Sequence, residues 1–249
     1  MKIISVLNQK GGVGKTTSTY NIAAAIAKTG AKVLMIDSDS QASLTLMTAN
    51  NPLSFDTNVC NIYEDYKQIR ECIYRTPVDN LDFIPSSLKL AKIETKLFAE
   101  GIGRESKMRK ALSFVNEMYD YCIIDCPPSL SMITLNNLVA SDELIIPTET
   151  SALSVYALDD LMETVDSVKE VNDKLKIKGI IATRFDKRTK HDNCSLDELK
   201  ANHIILGVVK NTVEAKRGID DGLPVVIANP SSDIAKEYNS IANKIMEVN

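Results

Sequence analysis

Apolar residues in this chain fall into short runs, separated by longer stretches in which they recur every three or four positions. Short apolar runs are the mark of strands covered on both faces, and the longer stretches read as amphipathic helices. The predicted strands are Ile3–Leu7, Val33–Ile36, Leu81–Ile84, Tyr121–Ile124, Glu143–Pro147, Ile177–Ala182 and Ile204–Val209. Their alternation with helix-length segments predicts an α/β fold, a mostly parallel, twisted central sheet with helices on both faces. The first helix should start in the glycine-rich segment after strand one and run to about Lys28, with Gly30 as its left-handed stop. The last should start near Ser231, after Pro230, and place Ile234, Tyr238, Ile241, Ile245 and Val248 on one stripe. That stripe could pack on the sheet or lie on a membrane. Its polar side carries Lys236, Glu237, Lys244 and Glu247, mixed in sign, which favours packing.

No repeat or low-complexity linker interrupts the pattern, so residues 1–249 are expected to form a single domain with ample apolar content, 44%, for a buried core. Against 29 basic residues stand 33 acidic ones, a net charge of -4, so any nucleic-acid contact must come from a local patch. The five cysteines form no C-x-x-C pair, and only two histidines exist, which points to reduced thiols rather than a disulfide framework or zinc site. The start of the chain enters a strand-like run without a signal-peptide pattern, and no run approaches a membrane span. The expected location is the cytoplasm.

The candidate chemistry begins at Lys10-Gly11-Gly12-Val13-Gly14-Lys15-Thr16-Thr17, between the first strand and first helix. A standard phosphate loop, G-x-x-x-x-G-K-[ST], would have glycine at position 9, where this chain has Gln9. Backbone amides from Gly12 to Thr16 and the helix N-terminus should still face a β-phosphate, with Lys15 supplying full charge. The Thr16 hydroxyl is placed to ligate Mg2+, and Thr17 to meet the α-phosphate of bound ATP. Lys10 lies ahead of the phosphate-wrapping turn and does not obviously reach its own bound phosphates; a partner subunit could receive it. A second acid site ends the strand Tyr121-Cys122-Ile123-Ile124-Asp125, where a carboxylate can hold a Mg2+-bound water opposite Thr16. A third is the polar loop Asp37-Ser38-Asp39-Ser40-Gln41-Ala42-Ser43, at a strand's carboxyl end. Taken alone, two acids in a turn are more often solvated or helix-capping.

The segment from Lys10 to Thr17 resembles the deviant Walker A motif of the ParA/MinD family of P-loop ATPases. In that family the signature lysine, here Lys10, crosses a dimer interface to the other subunit's phosphates. The loop from Asp37 is similar to the family's switch I, usually D-x-D-P-Q-G; the resemblance implies that Asp39 positions the attacking water and that Asp37 supports the Mg2+ and loop network. Ser40 and Ala42 stand where the family has proline and glycine. Asp125-Cys126-Pro127-Pro128 resembles switch II, placing Pro127 near nucleotide, and Gly179 to Asp186 resembles the strand passing the base, with Thr183 and Arg184 at its end.

Within the family the pattern is closest to small ParA/Soj-type DNA partition ATPases. It implies an ATP-dependent homodimer with ATP sandwiched at the interface, nonspecific DNA binding on the nucleoid, and slow hydrolysis stimulated by a ParB-like centromere-binding partner, which together segregate plasmid or chromosomal DNA. Basic residues in the C-terminal half, Arg184, Lys187, Arg188, Lys210, Lys216 and Arg217, could supply the DNA contact if they share a face, or be solvated positions. The same nucleotide motifs occur in MinD-like membrane-surface ATPases, which need a basic amphipathic C-terminal helix, and in nitrogenase-type iron proteins, which need cluster cysteines that Cys126 alone does not provide. No stable membrane insertion is expected.

Overall fold

The computed structural model describes residues 1–49, 54–211 and 222–247, with the backbone alone for 152–157. Eight strands form one sheet in the order β3-β4-β2-β5-β1-β6-β7-β8. They are β1 (Lys2–Val6), β2 (Val33–Asp37), β3 (Tyr74–Arg75), β4 (Leu81–Ile84), β5 (Tyr121–Asp125), β6 (Glu143–Glu149), β7 (Lys176–Phe185) and β8 (Ile205–Lys210). Every pairing is parallel except β3 with β4. All seven strands read from the apolar runs are present; β3 went unread because two residues carry no period. The strands β6 and β7 run further than their apolar stretches, to Glu149 and Phe185, so their polar ends were trimmed by a hydrophobicity criterion.

Within each strand, side chains alternate between two cores. Val33, Met35, Ile123 and Ile145 face one, against α1 (Lys15–Ala27), α2 (Ser43–Thr48), α9 (Val225–Ala228) and α10 (Asp233–Met246). Leu34, Ile36, Cys122, Ile124 and Leu144 face the other, against α3 (Val59–Glu64), α4 (Leu90–Ala99), α5 (Lys107–Ser113), α6 (Met132–Ala140) and α7 (Ala152–Lys169). A further helix, α8 (Lys190–Asn202), joins β7 to β8. This is the two-layered covering that near-continuous apolar strands require.

Helix α1 ends at Ala27, and Gly30 takes φ 96°, the left-handed stop the sequence predicts. Helix α10 starts after Ser232, whose hydroxyl accepts from the Ala235 amide. Its stripe of Ile234, Tyr238, Ile241 and Ile245 is buried with α1 and β8, so packing, not a membrane, receives it; Val248 lies outside the described residues. No helix among the described residues is long and apolar enough to cross a membrane.

Candidate nucleotide-binding site

The sheet order puts β1 between β5 and β6, so the loop after β1 opens at the carboxyl edge beside the ends of both neighbours. Ligands bind at that edge in open α/β sheets. Gly12 and Gly14 adopt φ 78° and 86°, a left-handed backbone that any side chain would strain. The turn they allow starts α1 at Lys15, and no acid in the helix's first turn neutralises its positive end. The loop is also tied from outside. The Thr183 hydroxyl donates to the Val13 carbonyl at 2.8 Å, joining the end of β7 to the loop.

A cavity of about 380 Å³ lies over this turn, lined among others by Gly12, Gly14, Lys15, Thr16, Thr17 and Asp39. Thr183 and Arg184 from β7, and Val209, Lys210, Asn211 and Tyr238 on the far side, complete it. Gly11 also lines the cavity, whereas Val13 is fully buried and contributes only its carbonyl to the anchor. Pro128 reaches the cavity; Pro127 is buried and lines a separate small hollow with Ser38, Ser40 and Glu94. Tyr238 carries no motif signal, since its place in the apolar stripe of α10 conceals its second surface toward the cavity.

Below the cavity two carboxylates face each other across paired strands, Asp37 in register with Asp125. Both are buried. Burial pushes both carboxyls above the usual carboxylate range, and for Asp125 the facing Asp37 pushes further in the same direction, while Thr16 and Lys15 oppose it. The Thr19 hydroxyl donates to Asp125 Oδ1 at 3.3 Å. Burial lowers the Lys15 ammonium from its ordinary value, with Asp125 and Asp39 pulling it back up. Two buried carboxyl groups, each raised by burial and beside a threonine hydroxyl, fit a cation that takes one or two protein ligands and keeps its waters, the habit of Mg2+. No cluster of three or more His, Cys, Asp or Glu suited to a metal occurs among the described residues.

The two acids of the loop after β2 divide their work. The amide and hydroxyl of Thr45 donate to Asp37 Oδ2 at 2.8 and 2.7 Å, and the Asp39 amide to Asp37 Oδ1 at 3.1 Å. Asp37 therefore spends its oxygens organising the loop. Asp39 stays half-buried on the cavity wall, its carboxylate accepting from the Gln41 amide at 2.9 Å. The turn places Ala42 at φ 52°, where the family pattern has glycine.

Lys10, next to Gly11 of the cavity lining, is in an ion pair with Glu149, whose other oxygen accepts from Arg184 Nη1 at 2.8 Å. Arg184 thus lies against the loop beside Gly12, with its side chain still exposed. Of the other basic positions, Arg188 is exposed but paired with Asp186 at 2.7 Å, Lys210 with Asp233 at 2.9 Å, and Lys187 is exposed. Lys216 and Arg217 lie outside the described residues.

The described geometry has counterparts. Residues 1–177 match the family model described as an AAA domain. The chain is 36% identical to sporulation initiation inhibitor protein Soj of Bacillus subtilis, covering 98% of each chain. It is 32% identical to chromosome partitioning protein ParA of Myxococcus xanthus over 99% of this chain and 88% of that one. Among solved structures, a cobyrinic acid a,c-diamide synthase from Mycobacterium smegmatis with bound ADP and magnesium superposes with TM-score 0.83 at 28% identity, over 98% and 93% of the two chains. The cell division ATPase MinD of Pyrococcus furiosus gives 0.81 at 25% identity, over 98% of each.

Proposed function

Starting from a chain that belongs to the ParA/MinD family of P-loop ATPases, we propose that it is a ParA-type partition ATPase that binds ATP with Mg2+ and works as an ATP-sandwich homodimer on nonspecific DNA. The observation that carries this reading is Lys10: a second lysine in the phosphate loop, next to Gly11 and paired with Glu149, beside a cavity that already has Lys15 in its lining. A monomeric site has no need of it. An interface between two such sites does.

In this reading the amides of Gly12 to Thr16 and the end of α1 receive the β-phosphate, and Lys15 spreads its charge over the phosphates. The hydroxyl of Thr16 and, through water, Asp125 would hold Mg2+, with Asp37 steadying the loop beside it. The ion neutralises charge on the terminal phosphates. Asp39 orients the attacking water, and Lys10 of the opposing subunit stabilises charge from the far side. Turnover is slow until a ParB-like partner completes the site. Support for the DNA role comes from the ParA and Soj relatives and from the exposed Lys187 and Arg188.

The discriminating experiment pairs electrophoretic retardation of nonspecific DNA with liposome sedimentation, each with and without ATP. Retardation that needs ATP and weakens steeply with salt, with no liposome binding, is the expected result. ATP-dependent liposome binding without DNA retardation would replace this reading with a MinD-like membrane switch.

A further inference from the structure

Glu149 has no part in holding nucleotide in the account above, yet it sits where the signature lysine ends. It is the last residue of β6, in register with Thr183 of β7. Its side chain is largely covered, 17% exposed, and its two oxygens are divided between two cations: Oε2 meets Lys10 Nζ and Oε1 meets Arg184 Nη1. The backbone of Lys10 is fixed separately. Its amide donates to Asn8 Oδ1 at 2.9 Å, and Asn8 Nδ2 in turn donates to the Pro147 carbonyl at 2.8 Å. Asn8 is buried, so this tie between loop and β6 holds wherever the ammonium points. The Lys10 side chain itself is 40% exposed and built of single bonds.

We propose that Glu149 is a positioning residue for Lys10, parking its ammonium on its own subunit until a second copy brings nucleotide phosphates within reach. This rests on the role of Lys10 across the interface proposed above. Phosphates carrying several negative charges outcompete one carboxylate for the ammonium once they are near. Pulling a lysine away ordinarily strands a covered carboxylate, and a stranded buried charge is strongly unfavourable. Here Arg184 stays on Oε1, so Glu149 keeps a counter-charge after Lys10 leaves. The arrangement is a latch that opens without leaving an unpaired acid behind. A partly exposed ion pair is also weak enough to be released.

The test is Glu149→Gln, which keeps the shape and an acceptor for Arg184 but removes the charge that holds Lys10. The ATP concentration giving half-maximal dimer in sedimentation velocity should fall roughly threefold to tenfold, the range of a partly covered charge-assisted contact. Affinity of the monomer for a fluorescent ADP should stay at the wild-type value. In a Lys10→Ala background the same change should leave the dimerisation threshold where Lys10→Ala alone puts it. An unchanged threshold in E149Q overturns the proposal, and so does weaker dimerisation with ADP binding intact, which would make Glu149 an interface contact. Should E149Q not bind ADP, Glu149→Asp, with its shorter reach, should lower the threshold by a smaller factor, and an unchanged or raised threshold there overturns the proposal equally. Failure of the underlying reading looks different: Lys10→Ala would dimerise and hydrolyse ATP like the wild type.

Discussion

At Ala42 the sequence departs from its family in a way that the backbone registers. The position takes φ 52°, and its amide donates to the Asp39 carbonyl at 2.9 Å, so the turn keeps a glycine-like conformation with a methyl group in it. A left-handed alanine costs about 1–2 kcal/mol, part of which glycine returns through its freer unfolded chain. Ala42→Gly should therefore stabilise the protein by about 0.5–1 kcal/mol, a rise of roughly 1–4 °C in Tm for a chain of this size. Scanning calorimetry checks it; an unchanged or lower Tm would show the turn to be relaxed. Asp125 supports a second prediction at this scale. Its carboxyl is raised, so in the nucleotide-free chain the folded state holds a proton that the unfolded state has released. Its contribution is then fully present below the ordinary carboxylate pKa of about 4 and lost as pH rises toward the raised value. Asp125→Asn escapes that loss. Without nucleotide or Mg2+ it should melt above the wild type at pH 8, with the margin shrinking toward pH 5, and a margin independent of pH would contradict the assignment.

Elements were more legible than their ends. Each buried strand announced itself by an unbroken apolar run, yet β6 and β7 continue into the polar residues Glu149, Thr183 and Arg184, which an apolar criterion discards. Those discarded ends build the site. Backbone geometry and phosphate chemistry single out the loop from Gly11 to Thr17 and the strand-end Asp125, whereas Asp39 stood out only through the resemblance to switch I. Tyr238 was not legible, since it reaches the cavity only through the folding of α10 onto α1. How tightly α10 is held there depends on Gly207 in β8. A methyl at this position would lie 2.5 Å from Ile241 Cγ1 and 2.6 Å from Glu237 Oε1, and that carboxylate accepts the Val208 amide at 2.7 Å. Gly207→Ala should destabilise by about 1–3 kcal/mol through overpacking, measured by chemical denaturation. A wild-type midpoint would mean that α10 can draw back from the sheet without loss.

For the whole molecule, the sheet collects the loops after β1, β2, β5 and β7 at one edge, where Lys15, Thr16, Asp39 and Arg184 line one cavity. In the proposed reading Lys15 and the α1 N-terminus serve the subunit's own phosphates, and Lys10, paired here with Glu149, is left for those of a second copy. The proposed assembly rests, in the sequence, only on the resemblance that gives Lys10 a trans role, because a single chain's hydrophobic pattern specifies its own core and says nothing of a second copy. The central claim is that each active site is shared. It is tested most directly by mixing two inactive chains, Lys10→Ala and Asp39→Ala, and measuring ATP hydrolysis. In the mixed dimer, the Lys10→Ala subunit keeps its own Lys15 and Asp39 and receives Lys10 from its partner, so one site is whole. The account predicts turnover in the mixture well above the sum of the two variants alone; turnover equal to that sum, or wild-type turnover by Lys10→Ala alone, would contradict it.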